Sequence, residues 1–376
     1  MSKQDTAPQT LFELLARTWT TGAAISSMVL NADQSAIAFC LGDATIAIAP
    51  VTDNDPIEQR VHVNAEDGRT AIRPRTAPAR PLISVDVEAD APLLLGQLGT
   101  ADFITGAPGG PFYRVSAEGE RADLGIAVEA PVAATDYCAA NQCLAIAGGN
   151  TVTLLEGDEL AVGTIIDQGS AISAVRCSPA GDAIAVAHED GMTIWSMQAG
   201  GRRLADFEFP GKPGSPSWSP DGRWLAVPLA DGGFQLMDVR GGNTNALTDY
   251  PEPVNVIDWN TKVDALVTSG AYRVAAWSMD QAPLKDRRSG ALESGTTGLV
   301  PVSAVTSHPD RNLVAAGYKN GFVVVVQLGA RDELVLNSED RGAITSLAWT
   351  RDGKHLALAT SKDVAAVISI PEQLFK

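Results

Sequence analysis

The chain has 376 residues, 45% of them apolar, and its 45 acidic against 28 basic side chains give a formal net charge of -17. A surface with that balance repels phosphate backbones, so nucleic acid and anionic membranes are disfavoured as partners. No apolar run approaches the ~20 residues that cross a bilayer, and the start MSKQDTAPQT lacks the features of a secretory leader, so a cytoplasmic location is expected.

In chain order, the best run with helical period is Thr10 to Arg17, and Leu14 to Thr21 (LLARTWTT) reads as a strand. NADQSAIAFC (Asn31 to Cys40) then introduces a pattern that returns along the chain: a turn built on Pro, Asp or Gly, and after it a small apolar strand. The clearest further copies are SPAGDAIAVA (Ser178 to Ala187), SPDGRWLAVP (Ser219 to Pro228), HPDRNLVAAG (His308 to Gly317) and TRDGKHLALA (Thr350 to Ala359). Aligned on the first buried aliphatic after the turn, eight copies fall at Ile37, Leu93, Leu144, Ile184, Leu225, Leu266, Val314 and Leu356, spaced by 56, 51, 40, 41, 41, 48 and 42 residues. A unit of this length cannot bury its own faces, so the units must stack on one another.

Each copy supplies at least three strands. In the fourth they read Ile172 to Cys177, Ala183 to Ala187 and Met192 to Met197, bounded by Ser178-Pro179 and by Glu189-Asp190-Gly191. Pro presets φ there, and Asp and Gly tolerate left-handed backbone. The fold class is all-β, with meandering four-stranded units expected.

The turn Ser219-Pro220-Asp221-Gly222, the turns Asp190-Gly191 and Asp231-Gly232, and the late aromatics Trp195 and Trp277 resemble the WD-repeat β-propeller family over roughly Ala23 to Ile370. The family's closing Trp-Asp pair stands here as Trp195-Ser196 and Trp277-Ser278, and its Gly-His pair before the first strand is missing, which puts its buried His-Asp network in doubt. The resemblance implies a single propeller of antiparallel blades. Counting favours eight, with seven the alternative because units two and three are weakest: LISVDVEADAPLLLGQ (Leu82 to Gln97) fits a unit, but ADFITGAPGGPFYRVSA can be cut in more than one way. Eight three-stranded units end at Ile370 with six residues left, so the strand at Leu14 to Thr21 is expected to complete the last blade and close the ring. The expected division is an extension over residues 1–13 and a propeller over 14–376.

Two segments interrupt the repeat. GRTAIRPRTAPARP, between Gly68 and Pro81, carries Arg69, Arg73, Arg75 and Arg80 without an acid and reads as an outer strand and linker, or else a dock for an acidic partner. Gln281 to Gly298 is polar and reads as a long, mobile loop between third and fourth strands. Cys40, Cys138, Cys143 and Cys177 lie in or beside strands and read as buried small hydrophobes, with Cys138 and Cys143 the only pair close enough in sequence to bridge.

Catalytic motifs are missing. The four histidines, His62, His188, His308 and His355, do not assemble a zinc set, and no metalloprotease, nucleophile-elbow or phosphate-loop signature occurs. Gly106 to Pro111 (GAPGGP) reads as a turn, as do Asp53 and Asp55 in TDNDP, for which a hard cation is the other reading. Carboxylates near the turns between second and third strands (Asp43, Glu189, Asp190, Asp231, Asp363) leave a second function open, a hydrolase or lyase with a carboxylate or divalent-cation site in the channel.

The function expected first is a noncatalytic platform for cytoplasmic proteins, monomeric by itself and without cofactor or metal. The resemblance implies docking on the face of the second-to-third-strand and inter-blade loops. There the sequence sets His188-Glu189, Tyr272-Arg273, Tyr318-Lys319 and Ser361-Lys362. Tyr and Arg dominate binding hot spots, so His188, Tyr272, Arg273, Tyr318, Lys319 and Lys362 are the expected contact residues, with Tyr272-Arg273 and Tyr318-Lys319 taken as equivalent positions in adjacent blades. The small residues Ser26, Ala133, Ser173, Ser303 and Ser346 on first strands suggest an idle channel.

Overall fold

A computed structural model describes residues 10–375 except 65–68, 90–91, 128, 210 and 338–340. Eight four-stranded antiparallel sheets form the blades of one propeller, each running from an innermost strand a to an outermost strand d. Blades one to seven occupy residues 25–86, 94–123, 132–167, 172–208, 217–247, 257–293 and 302–337, and blade eight takes strands a to c from 344–369. Its strand d is the N-terminal segment Ala16–Thr20, paired antiparallel with Val364–Ser369. The ring thus closes as expected, and the short helix Leu11–Leu15 before it carries a capping box between Thr10 and Glu13.

The repeated turn owes its shape to one side-chain device. Ser178 and Ser219 Oγ, Thr350 Oγ1 and Asn31 Oδ1 each accept from the backbone N–H five residues on, at 3.1, 2.8, 3.1 and 3.0 Å. Gly181, Gly222 and Gly353 turn the chain inside that loop at φ 73, 67 and 66, which other residues adopt only under strain. The next strand, b, is sandwiched on both faces, so every residue of Ala36–Leu41 and Ala183–His188 is buried and the apolar run is continuous rather than alternating. Neighbouring blades press close enough that Gly317, in strand b of blade seven, leaves no room for a Cβ against Ile344 of blade eight.

Blade two departs from the expected register. Leu93 precedes its strand a (Leu94–Leu98), and strand b is Asp102–Gly106, with Phe103 and Ile104 in the core. The apolar run PLLLG outweighs DFITG, whose turn lacks the repeat's Pro-Asp-Gly signal. With Phe103 as marker, the distance to Leu144 becomes 41 residues, and the excess collects into one 66-residue gap after Ile37. That gap holds an insertion between strands c and d of blade one: a 3-10 turn at Ile57–Gln59, a hairpin of Val61–Val63 with Thr70–Ile72, and extended chain to Ile83.

Two arginines of the insertion engage the chain's own acids. Gly68 lies outside the described residues, but Arg75 meets both Asp53 oxygens, and Arg73 stands 3.6 Å from Asp55. Asp55 also accepts from Thr76 N–H at 2.8 Å, so neither carboxylate faces open space as a cation ligand. In blade six, the segment read as one long loop contains strand d, Ala291–Glu293, and Trp277 Nε1 donates to Arg287 O at 3.0 Å.

Candidate interaction surface

The expected contact residues divide by burial. His188 ends strand b of blade four and is 9% exposed, with Nε2 at 3.1 Å from Thr193 Oγ1. Thr193 donates to Asp206 and accepts from Gln168, whose Oε1 receives the Trp195 indole N–H at 2.8 Å. Blade four therefore keeps a buried polar network with Gln168 standing in the loop before strand a. Tyr318 is 6% exposed, sets its ring edge-on to Phe322 at 5.6 Å, and has its phenol pushed up to about 12 by burial. Both residues serve the interior.

Tyr272 and Tyr318 are not equivalent either. Tyr318 closes strand b of blade seven, whereas Tyr272 sits in the longer loop after Ala265–Thr268 in blade six, because that strand stops early. The loop position frees it: Tyr272 is 42% exposed. Beside it stands Leu299, a residue outside the expected contact set. Leu299 is 95% exposed, and its neighbour Gly298 donates N–H to Tyr272 O at 3.0 Å.

The Leu299 loop is fixed at both ends. Ser294, fully buried, accepts from Gly329 N–H at 3.1 Å, Gly295 N–H donates to Ala330 O, and Val302 N–H donates to Ala271 O at 2.8 Å. Ion pairs flank the apolar pair: Lys319 Nζ reaches Glu252 at 2.7 Å, and Arg273 and Arg331 share Glu293 at 3.6 and 3.3 Å. Lys319 N–H also donates to Pro301 O. Lys362 lies one blade on, with its stem over Gly342. A rigid loop presenting bare apolar area between charged residues is the composition of a hot spot with a polar rim.

The channel side is chemically occupied. Ser26, Ser173 and Ser303 sit at β-bulges in strands a, and their hydroxyls donate to Cys40 O, Ala187 O and Gly317 O at 3.1, 3.3 and 3.2 Å. Ser173 and Ser303 also reach Pro213 O and Ile344 O of the next blade. Ala133 holds the bulge of blade three, and in blade eight the bulge falls at Thr345 rather than Ser346. Two strand-a carboxylates occupy one structural position in different blades. Asp136 Oδ2 accepts Cys177 N–H at 2.8 Å, and Asp258 Oδ2 accepts Ser307 N–H at 2.6 Å, each bracing the following blade. Among the described residues no three His, Cys, Asp or Glu side chains are grouped to hold a metal. Asp43, Asp190, Asp231 and Asp363 lie in the turns between strands b and c, where Asp43 accepts from Thr45.

No protein-family model matches the chain. Human WD repeat-containing protein 90 is 30% identical over 204 residues, and its mouse counterpart 29% over 200. With the repeat chemistry and eight blades already in place, the chain is similar to WD-repeat proteins in sequence as well as in architecture. The chain is an eight-bladed β-propeller. The match covers 54% and 52% of this propeller but only 11% and 10% of those relatives, so it spans about a tenth of their length. Among solved structures, the C-terminal WD40 domain of Sif2 aligns with TM-score 0.62 at 15% identity, over 94% of this propeller and 99% of that chain. The computationally designed Ika8 protein aligns with TM-score 0.68 at 14% identity, over 95% and 99%. A chain of the mitotic checkpoint complex gives 0.56 at 13%, over 74% and 86%. At these identities the structural neighbours speak to the fold alone.

Proposed function

We propose that this propeller is a noncatalytic platform that holds one or more protein partners in the cytoplasm, is monomeric alone, and docks them on the loop face of blades six and seven. The observation that carries the reading is Leu299, 95% exposed on a loop pinned at both ends, beside half-exposed Tyr272. An apolar side chain held rigidly in water contributes to binding without the entropy cost of ordering a mobile loop. The ion pairs Lys319–Glu252 and Arg273–Glu293 supply orientation at the rim rather than affinity. One structural neighbour comes from an assembly, the mitotic checkpoint complex, which is consistent with platform use of the fold. The channel-centred hydrolase loses ground because Asp136 and Asp258 already accept backbone amides.

Affinity purification of the tagged chain from its own cell, with quantitative mass spectrometry, tests this. The platform reading expects a stoichiometric protein partner that is lost from a folded Tyr272→Ala, Leu299→Asp variant. Recovery of the chain alone would contradict it.

A further inference from the structure

Three of the four cysteines gather where blades three and four meet. Cys138 ends strand a of blade three (Val132–Cys138) and is the cross-strand partner of Cys143, while Cys177 ends strand a of blade four (Ile172–Cys177). All three belong to one buried cluster. Cys138 and Cys177 both line a cavity of about 480 Å³ at the mouth of the channel, together with Gln97, Asp136 and Arg176. The Cys138 sulfur lies across the blade boundary, so that a Cβ added to Gly181 of blade four would sit 3.1 Å from it.

The partners of Cys138 favour its thiolate. Cys177 and the backbone N–H groups of Asn141 and Ala140 are the neighbours able to donate to its sulfur. These donors hold the Cys138 thiol below its ordinary range, whereas Cys177 is driven up by serving as the donor and by burial. Asp136 anchors the pair by accepting Cys177 N–H at 2.8 Å. Cys143 is pushed up to about 11 by burial, so the cross-strand neighbour is the poorer nucleophile.

We propose that Cys138 and Cys177 form an inter-blade thiol pair that hydrogen peroxide converts to a disulfide. The Cys138 thiolate attacks one peroxide oxygen, the O–O bond breaks, and the departing hydroxide takes a proton to become water, leaving a sulfenic acid on Cys138. Cys177 sulfur then attacks that sulfur; the S–S bond forms, the S–O bond breaks, and the hydroxyl leaves as water with the Cys177 proton. Two electrons pass from the two thiols to peroxide. The product ties blade three to blade four at the channel mouth.

Intact, pre-reduced protein treated with hydrogen peroxide, then denatured and titrated for thiols, tests the proposal. The free thiol count is expected to fall from four to two, with a peptide joining Cys138 to Cys177 in the non-reducing digest. Cys177→Ser should halt the reaction at a sulfenic acid on Cys138 that dimedone labels, and Cys143→Ser should leave the bridge intact. Four remaining thiols, or a bridge between Cys138 and Cys143, would overturn it.

Discussion

Arg17 on the closing strand lies 3.8 Å from Asp53 on blade one, and both side chains are almost fully buried. The Arg17 guanidinium also donates to the carbonyls of Pro50 and Thr52 at 3.0 and 2.9 Å and to that of Val51. Nearby, buried Arg60 donates to Leu14 O at 2.7 Å. The blade-one insertion therefore grips the strand that completes blade eight. Burial brings Arg17 down to about 10; Asp53 is pushed up by burial but held below the usual carboxylate range by Arg75, Asp55 N–H and Arg17.

Asp53→Ala should leave Arg17 and Arg75 as uncompensated buried charges. Breaking a pair of this kind costs about 3–5 kcal/mol. Denaturant unfolding should show that loss, and limited proteolysis should release the N-terminal strand first. Unchanged stability would show that the insertion does not latch the ring.

Gly317→Ala would drive its Cβ into Ile344 Cγ2. Overpacking of this size costs about 1–3 kcal/mol. Ile344→Ala removes the Cγ1 and Cγ2 atoms that the new Cβ meets, so the double variant should lose less than the sum of the two single changes, and thermal unfolding of the single and double variants reads the coupling.

Asp258→Ala should orphan Ser307 N–H, and Asp136→Ala should orphan Cys177 N–H, each at about 1–3 kcal/mol. The two residues brace different blade boundaries, so their effects should add in the double variant. Burial raises Asp258 above its ordinary value, so its ionised form weighs against the fold at neutral pH. Asp258→Asn should consequently cost less than Asp258→Ala.

Burial lowers His188, His308 and His355 below 6.5. The unfolded chain then takes up protons that the fold refuses, so their stability contribution is complete above 6.5 and is lost as pH falls through the folded values. His308 accepts Asp310 N–H on Nδ1 and places Nε2 at 3.2 Å from Gly353 O, an arrangement that a second ring proton breaks. Urea midpoints at about pH 7.5 and about pH 5 should differ, and His308→Ser, which copies Ser178 and Ser219, should shrink the difference.

The ring was legible because four of the turns repeat one hydrogen-bonding device in residues that spell it, Asn31, Ser178, Ser219 and Thr350. The pattern misplaces blade two where that spelling fails, and it divides the insertion between two spacings because Leu93 imitates a strand b position. The surface was less legible. Tyr318 and His188 match the pattern of exposed turn residues, yet each packs inward at the last position of strand b. Leu299 carried no signal beyond being a Leu in a Gly/Thr stretch, since its exposure depends on hydrogen bonds from blades six and seven that no local window contains.

The most direct test is the affinity of the co-purified partner for the wild-type chain and for Leu299→Asp, Arg273→Glu and Lys319→Glu variants, with thermal unfolding measured on the same samples. Leu299→Asp is predicted to weaken binding by about 2 kcal/mol or more, as hot-spot residues do, while the charge reversals chiefly slow association and melting is unchanged. Full-strength binding by all three folded variants would contradict docking at blades six and seven.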